Sequence, residues 1–293
     1  MVSNYVDEIK ELNAPNVHIK DKERVNKLIH DIVSDGHPNL QVVSDFDRTI
    51  TRQHENGKSH LSSFAMFSRC PSVPKEYVET EKRLTGKYFP IEINPGITHD
   101  EKRQLMEEWW SETENAMKGL CVTQCEIEET ASSLGPSLRD GTVELFKDLH
   151  SADVPILVFS AGLGDSVRAV LKHFNVYLAN VKIISNFLKY NDRGVIQGFD
   201  GATIHVLNKN EYALQGTQYY DLVQNRSNVI LMGDSLGDSG MADGVSHAHA
   251  ILKIGFLYDH VKENLPLFME AFDIVLEDDQ SMAVIRAILK YLL

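Results

Sequence analysis

The stretch that decides the fold is Leu40-Gln41-Val42-Val43-Ser44-Asp45-Phe46-Asp47-Arg48-Thr49. Its apolar first half predicts a buried β-strand over residues 42–45, and its second half carries two carboxylates one residue apart. Strand side chains alternate between faces, so Asp45 and Asp47 are expected to point the same way while the strand continues. At the carboxyl end of a parallel strand, one carboxylate can attack phosphorus while its neighbour protonates the leaving oxygen. The alternative is a surface Asp-x-Asp turn.

The composition limits the classes of partner. With 293 residues, 43% hydrophobic and 24% charged, the chain is long enough for one large domain or for a core with an inserted domain. Its formal net charge of -13 argues against a nucleic acid polymer as the main partner. No apolar run approaches the roughly 18 residues of a membrane helix. A small phosphorylated substrate is compatible with this charge if a metal and a lysine supply local positive charge, and no membrane association is expected. No signal peptide is recognised, which predicts a cytoplasmic location, and a monomer is the default expectation.

The three cysteines give no strong indication of a metal site. Cys121 and Cys125 have the i,i+4 spacing that a metal site on a helix could use. Because no second pair completes such a site, free thiols are the favoured interpretation, and Cys70 is expected to be free as well.

The middle of the chain predicts a helical insertion. Residues 75–87 and 100–118 are charged, lack an alternating pattern and predict helices, and Thr98 with Glu101 forms a capping box before the second one. We predict a core of residues 1–58 and 138–293, and a helical cap domain of residues 59–137, called the cap below.

Strand and helix patterns alternate again after residue 140. Apolar runs predict strands at residues 155–160, 181–185, 229–232, 251–254 and 273–276, and a helix is expected from Gly162 to Phe174. This alternation predicts an α/β fold with a doubly wound, parallel sheet.

Three more polar segments follow apolar runs. The hydroxyl and backbone N–H groups of Ser160-Ala161-Gly162, in a Gly-containing turn before a helix, can hold phosphate oxygens. Lys209 offers a point charge that suits a dianionic phosphate, and Gly233-Asp234-Ser235-Leu236-Gly237-Asp238 adds two carboxylates. Taken alone, the Gly233-Asp234-Ser235 segment could be a plain turn, and Lys209 could be a solvated surface lysine. Four carboxylates in one crevice would repel one another, and a hard divalent cation such as Mg²⁺ would compensate them.

These four segments, in this order, resemble the motifs of the haloacid-dehalogenase-like (HAD-like) phosphatase superfamily. The resemblance implies that Asp45 is the nucleophile that forms an aspartyl-phosphate, and that Asp47 is the acid and then the base. It assigns the remaining roles as Mg²⁺ ligands (Asp45, Asp234 and the backbone carbonyl of Asp47), phosphate ligands (Ser160, Ala161 and Lys209) and supporting residues (Asp238 and Thr49).

Longer segments resemble the cytosolic 5'-nucleotidase III family from about Leu40 to the C-terminus. They are Lys87-Tyr88-Phe89-Pro90-Ile91-Glu92-Ile93-Asn94-Pro95, Glu108-Trp109-Trp110, Phe159-Ser160-Ala161-Gly162-Leu163-Gly164-Asp165, Ile204-His205-Val206-Leu207-Asn208-Lys209 and Met241-Ala242-Asp243-Gly244-Val245. The resemblance implies that Glu92 binds the amino edge of the base. Thr113 stands where the family often has a base-contacting serine, so its added methyl group changes the pocket.

Aromatic residues of the cap have two interpretations. An indole stacks well on the positively charged ring of N7-methylguanine, which favours base stacking for Trp110, whereas packing is favoured for Trp109. Phe64 and Phe67 could line the pocket or form a core stripe, and the sequence leaves the role of Arg48 open.

Together these features predict a Mg²⁺-dependent 5'-nucleotidase that prefers 7-methyl-GMP and CMP. Transfer of the phosphoryl group to another nucleoside is an expected side activity, as the resemblance suggests. The competing hypotheses are another small-molecule phosphatase, such as a phosphoserine phosphatase, and a catalytically silent nucleotide-binding protein.

Overall fold

The computed structural model describes residues 4–94, 96–209, 218–245 and 247–293. Its helices are α1 Tyr5–Glu8, α2 Lys22–Asp35, α3 Ser63–Phe67, α4 Lys75–Glu92, α5 His99–Met117, α6 Gln124–Leu134, α7 Thr142–Ser151, α8 Gly164–His173, α9 Gln218–Val223, α10 Val261–Ala271 and α11 Ala283–Leu289. Its strands are β1 Val17–His18, β2 Leu40–Ser44, β3 His54–Glu55, β4 Lys58–Ser59, β5 Ile156–Leu163, β6 Val181–Asn186, β7 Leu188–Tyr190, β8 Ile196–Phe199, β9 Asn228–Gly233, β10 Ala250–Leu257 and β11 Ile274–Glu277.

The central sheet has the strand order β1-β11-β10-β9-β2-β5-β6. Neighbouring strands pair in parallel, except that β1 pairs with β11 in the antiparallel sense. Alternate residues of β2 enter two different apolar cores, Val42 on one face and Val43 on the other. Burial on both faces explains why these strands are continuous apolar runs, and the predicted doubly wound fold is confirmed.

Strand β2 lies at the centre of the sheet, where it pairs with β5 on one side and with β9 on the other. The chain thus reverses its direction of winding next to β2, and open α/β sheets bind ligands at such a switch point. The carboxyl ends of these three strands therefore form the floor of the candidate site.

Three predicted boundaries near the site are wrong. Strand β2 ends at Ser44, one residue before Asp45, although the Asp45 N–H still donates to the Met232 carbonyl of β9 at 3.0 Å. Strand β5 continues to Leu163 with a register shift, so Ser160 and Ala161 lie within an irregular strand and not in a turn, and α8 begins only at Gly164.

Most of the predicted cap packs onto the main core. Residues of α3 and α6, including Phe67 and Ile127, belong to the same apolar cluster as the sheet. Helices α4 and α5 join the main cluster at Tyr77 and Met117, and they form a second, small core around Leu84, Tyr88 and Met106. The capping box of Thr98 is confirmed at the start of α5. The division into domains stays a prediction.

The hairpin of β7 and β8 was not predicted. It docks on α5, since the Phe199 N–H donates to the Glu114 carboxylate at 2.9 Å. Gly198 permits this approach, because a Cβ there would lie 2.3 Å from Oε1 of Glu114. None of the described helices is both long and apolar enough to span a bilayer.

Replacing Gly86 with alanine should stabilise the protein. Gly86 lies on the exposed side of α4, and a Cβ there would meet nothing within 4 Å. Alanine costs less backbone entropy in a helix than glycine, so the free energy of unfolding should rise by about 0.5–1 kcal/mol. Urea denaturation would measure the change, and a decrease would mean that the added methyl group is not accommodated at this position of α4.

Candidate active site

Three carboxylates meet at the carboxyl edge of the sheet. Oxygen atoms of Asp45, Asp234 and Asp238 all lie within 4.8 Å of one another. Asp45 directly follows β2 and Asp234 directly follows β9, so the pairing of these strands brings the two motifs together. Asp238 is held from behind, because its Oδ2 accepts hydrogen bonds from the backbone N–H and the hydroxyl of Ser235, at 3.0 and 2.8 Å.

Lys209 bridges two of these acids. Its Nζ donates to Oδ1 of Asp45 at 2.6 Å and to Oδ1 of Asp238 at 2.7 Å, and its side chain is only 2% exposed. The preceding turn is braced by Asn208, whose side chain bonds the backbones of Thr203 and His205. Burial opposes the charge of Lys209, but attraction to the two acids outweighs it and raises the pKa of the amine, so the ammonium form is favoured.

The acids themselves are held in an unfavourable environment. Burial raises the pKa of Asp45 well above its usual range, and repulsion by Asp238 and Asp234 adds to the increase while Lys209 opposes it. Burial and the charge of Asp238 raise the pKa of Asp234 to about 7. A cation would relieve this repulsion, and the donors are all hard oxygen atoms. The cluster therefore fits a divalent cation with oxygen ligands.

Asp47 is held by a residue that was not predicted. The backbone N–H of Ser63 donates to its Oδ1 at 2.8 Å, and the Ser63 hydroxyl donates to its Oδ2 at 2.6 Å. Burial raises the pKa of Asp47, and these two hydrogen bonds oppose the increase. Ser63 opens α3, and the only local signal for it was the Ser62 cap that precedes it.

Ser160 reaches the same place from β5. Its side chain is buried, and its hydroxyl oxygen accepts a hydrogen bond from the Gly162 N–H at 3.0 Å. A Cβ at Gly162 would lie 2.0 Å from the Ser63 hydroxyl, 2.9 Å from Oδ2 of Asp47 and 3.0 Å from the Ser160 hydroxyl. The phosphate-binding segment and the candidate acid thus share one small space. The carbonyl of Ala161 accepts from the Asn186 side chain at 2.8 Å, which holds this segment against β6.

Arg139 is a second residue that was not predicted. It is buried, and its guanidinium donates to the carbonyls of Arg48, Thr49 and Asp279, with a distance of 2.7 Å to that of Thr49. It also lies 3.9 Å from the centre of the Phe256 ring. Burial lowers its pKa to about 10, so it stays charged at neutral pH. Arg139 therefore anchors the backbone of the turn that carries the first motif.

Two other residues of the first motif face different partners. The hydroxyl of Thr49 donates to Oδ1 of Asp234 at 3.3 Å. Arg48 has a positive φ of 66°, and its guanidinium lies 5.9 Å from the centre of the Phe89 ring of α4. Arg48 thus reaches toward the cap.

Glu92 is the last residue of α4, and its electrostatic environment includes the acids of the cluster. Burial raises its pKa to about 7, with further increases from Asp238 and Asp234 and decreases from Lys209 and Arg48. The backbone carbonyl of Glu92 accepts from the Lys102 side chain at 2.8 Å, which fixes the end of α4 against α5.

The aromatic residues of the cap form a row. Trp110 is 8% exposed, with its ring centre 5.0 Å from that of Phe64 and 5.7 Å from that of Trp109. Trp109 is also stacked on Tyr88. Thr113 is buried on the same helix, whereas Phe67 packs edge-on against Tyr77 in the main core. Phe64 therefore adjoins Trp110, whereas Phe67 is part of the main core.

A family model of pyrimidine 5'-nucleotidases (UMPH-1) matches residues 48–293. The chain belongs to this pyrimidine 5'-nucleotidase family. It is 45% identical over 286 residues to a 7-methylguanosine phosphate-specific 5'-nucleotidase of Drosophila melanogaster, covering 97% of this chain and 89% of that protein. It is 35% identical over 287 residues to the Homo sapiens protein of the same description, covering 98% and 96%.

Comparison with solved structures gives a consistent result. The crystal structure of cytosolic 5'-nucleotidase IIIB bound to cytidine matches with a TM-score of 0.94 and 44% identity, covering 98% of this chain and 97% of that chain. A hydrolase of the HAD family from Salmonella enterica matches with a TM-score of 0.51, 11% identity, and coverage of 88% and 72%, which shows the fold alone. The predicted resemblance and the assignment as a 5'-nucleotidase are confirmed.

A polar cleft of about 340 Å³ lies between α5 and the segment that leads to Lys209. It is lined by Glu107, Ser111, Glu114, Thr203, His205 and Asn208. Trp110 and Thr113 lie on a neighbouring face of α5.

Proposed function

We propose that this chain is a Mg²⁺-dependent 5'-nucleotidase that acts best on 7-methyl-GMP and CMP and releases nucleoside and phosphate. The observation that carries the proposal is the meeting of Asp45, Asp234 and Asp238 within 4.8 Å, with Lys209 bridging two of them. The relatives named for 7-methylguanosine phosphate and the neighbour bound to cytidine support the two substrates. A cytosolic location fits the description of that neighbour.

Asp45, Asp234 and the backbone carbonyl of Asp47 would hold the metal. Bound there, Mg²⁺ would supply positive charge that offsets the charge of the phosphoryl oxygens. Lys209 and the Ser160 hydroxyl, with the N–H of Ala161, would orient the same phosphoryl group.

Asp45 and Asp47 perform the bond-making and proton-transfer steps of both half-reactions. An oxygen of Asp45 attacks phosphorus, the bond from phosphorus to the ester oxygen breaks, and Asp47 gives its proton to that oxygen, so that the nucleoside leaves neutral. A water molecule then attacks the aspartyl-phosphate and gives its proton to Asp47. The bond to Asp45 breaks, phosphate leaves, and both carboxylates return to their starting state.

The cap would bind the base. Glu92 would accept hydrogen bonds from the amino edge of guanine or cytosine, and Thr113 would offer a hydroxyl. Trp110 would stack on the base, with an added cation–π attraction to the positively charged ring of N7-methylguanine. Trp110 already packs against Phe64 and Trp109. A bound base would therefore lie next to Phe64 or replace one of these two ring contacts of Trp110.

The test is phosphate release, with and without Mg²⁺, from 7-methyl-GMP, CMP, UMP, GMP, AMP and phosphoserine. We expect Mg²⁺-dependent release that is fastest from 7-methyl-GMP and CMP. Fastest release from phosphoserine would contradict the base pocket and favour a different small-molecule phosphatase. No release from any substrate would favour a silent nucleotide-binding protein.

Replacing Glu92 with glutamine should weaken recognition of the base. The variant keeps the size of the side chain, but it presents an amide N–H₂ where the carboxylate accepted hydrogen bonds, so KM for CMP and 7-methyl-GMP should rise by ~10-fold. The kcat should change much less, because the proposed contact of Glu92 is with the base and not with the phosphoryl group. Steady-state kinetics would measure both constants.

The matched control is Glu108→Gln on the outer side of α5. Glu108 is exposed and pairs with Lys87 at 3.2 Å. Its replacement should leave KM unchanged. If Glu92→Gln also leaves KM unchanged for both nucleotides, Glu92 does not bind the base.

A further inference from the structure

The Asp47 carboxylate is held at both of its oxygens by one residue. The backbone N–H of Ser63 donates to Oδ1 at 2.8 Å, and its hydroxyl donates to Oδ2 at 2.6 Å. Two hydrogen bonds to a planar group fix both its direction and its rotation about the last side-chain bond. Each oxygen keeps a second lone-pair site, so the carboxyl group can still carry and deliver a proton.

The Ser63 hydroxyl is itself held in one orientation. Its oxygen accepts a hydrogen bond from the Leu163 N–H at 3.1 Å, so its own proton is directed to Asp47. Leu163 closes the segment that begins at Ser160, and Ser63 is only 2% exposed. One hydroxyl thus connects the acid to the strand that carries the candidate phosphate ligands.

The helix that carries Ser63 packs on the main core. Helix α3, which Ser63 opens, packs against β5 and α8, and its residues Met66 and Phe67 lie in the main apolar cluster. Helices α4 and α5 have a separate small core. Helix α3 also touches both of these helices, through Phe64 with Trp110 and Phe67 with Tyr77, so contacts on several sides fix the place of Ser63.

We propose that Ser63 is a positioning residue for Asp47, holding its carboxyl group in the orientation from which it transfers a proton to the leaving oxygen. The inference rests on the proposed function. In the first half-reaction the bond from phosphorus to the ester oxygen breaks, and the proton of Asp47 passes to that oxygen. Ser63 is not consumed and need not touch the substrate.

The leaving group provides the test. A nucleoside alkoxide is a poor leaving group and needs the proton, whereas p-nitrophenolate is a stable anion and leaves without one. Ser63→Ala should therefore lower kcat for the best nucleotide by roughly 10²-fold, the size expected when general acid catalysis is lost. The KM for that nucleotide should stay constant. The first-turnover release of p-nitrophenolate from p-nitrophenyl phosphate should fall by less than about 3-fold on the same argument.

Two further variants separate positioning from general structural damage. Ser62→Ala removes a neighbouring hydroxyl that caps the same helix through the Ala65 N–H, and it should leave the ratio of the two substrates unchanged. Ser63→Cys keeps a similar volume with a weaker donor, and it should show the same selective loss in smaller degree. Thermal denaturation would show that each variant is folded.

Equal losses on both substrates, a raised KM with an unchanged kcat, or no loss at all would overturn the proposal. A failure of the proposed function is distinguishable, because it would appear as absent nucleotide hydrolysis in the wild-type chain. A failure of this inference leaves wild-type hydrolysis intact.

Discussion

Replacing Asp45 with asparagine is expected to lower kcat for nucleotide hydrolysis by about 10⁴-fold or more, as the loss of a nucleophile does in other enzymes with covalent intermediates. An amide oxygen is a far weaker nucleophile than a carboxylate, so no aspartyl-phosphate can form. The variant should still fold, because asparagine has the same shape and Lys209 keeps its bond to Asp238 at 2.7 Å. Phosphate release under saturating substrate would measure the loss.

A matched control lies just beyond the second acidic motif. Asp243 is exposed and lies outside the carboxylate cluster, so Asp243→Asn should retain most of the activity. Acid quenching during turnover should trap a phosphorylated protein with wild type and with this control, but not with Asp45→Asn. If Asp45→Asn kept a tenth of the wild-type kcat, a direct attack by water would replace the covalent mechanism.

Replacing Gly162 with alanine is expected to lower kcat by roughly 10³-fold, since a displacement of 1 Å can cost ~10²-fold and two groups must move here. The new Cβ would lie 2.0 Å from the Ser63 hydroxyl and 2.9 Å from Oδ2 of Asp47. Ser63 can rotate away only by giving up its bonds to Asp47 and to the Leu163 N–H. The variant should also lose stability, because Ser160 is crowded at 3.0 Å and all three groups are buried or nearly so.

Steady-state kinetics and urea denaturation would measure both losses. Gly86→Ala introduces the same methyl group where it meets nothing, so it should leave kcat unchanged. A Gly162→Ala protein with normal kcat would show that the space between Ser63, Asp47 and Ser160 is larger during turnover than in this structure.

Much of the floor of the site could be predicted from the chain alone. Asp45 and Asp234 each follow a run of apolar residues, and the carboxyl ends of neighbouring parallel strands meet at one edge. This reasoning places the two acids together without any knowledge of distances. Apolar periodicity is a local property, which is why the order of strands and helices was largely predicted.

The residues at which the strands of the site end depend on pairing with neighbouring strands. Strand β5 keeps pairing with β6 up to Leu163, which a Ser-Ala-Gly sequence does not indicate. Strand β2 ends before Asp45, and Arg48 has the positive φ that turns the chain. Hydrogen bonds to neighbouring strands decide such limits, and those bonds are not written in local residue patterns.

The sequence by itself determined the α/β class, the family and the set of acids that meet at the sheet edge, because motif spacing and apolar runs are properties of short segments. Only the tertiary structure decided that Ser63 holds Asp47 and that Arg139 anchors the backbone at Thr49. These partners lie 16 and 90 residues apart along the chain. A serine or arginine has no local pattern that names its distant acceptor, so folding of the whole chain had to bring each pair together.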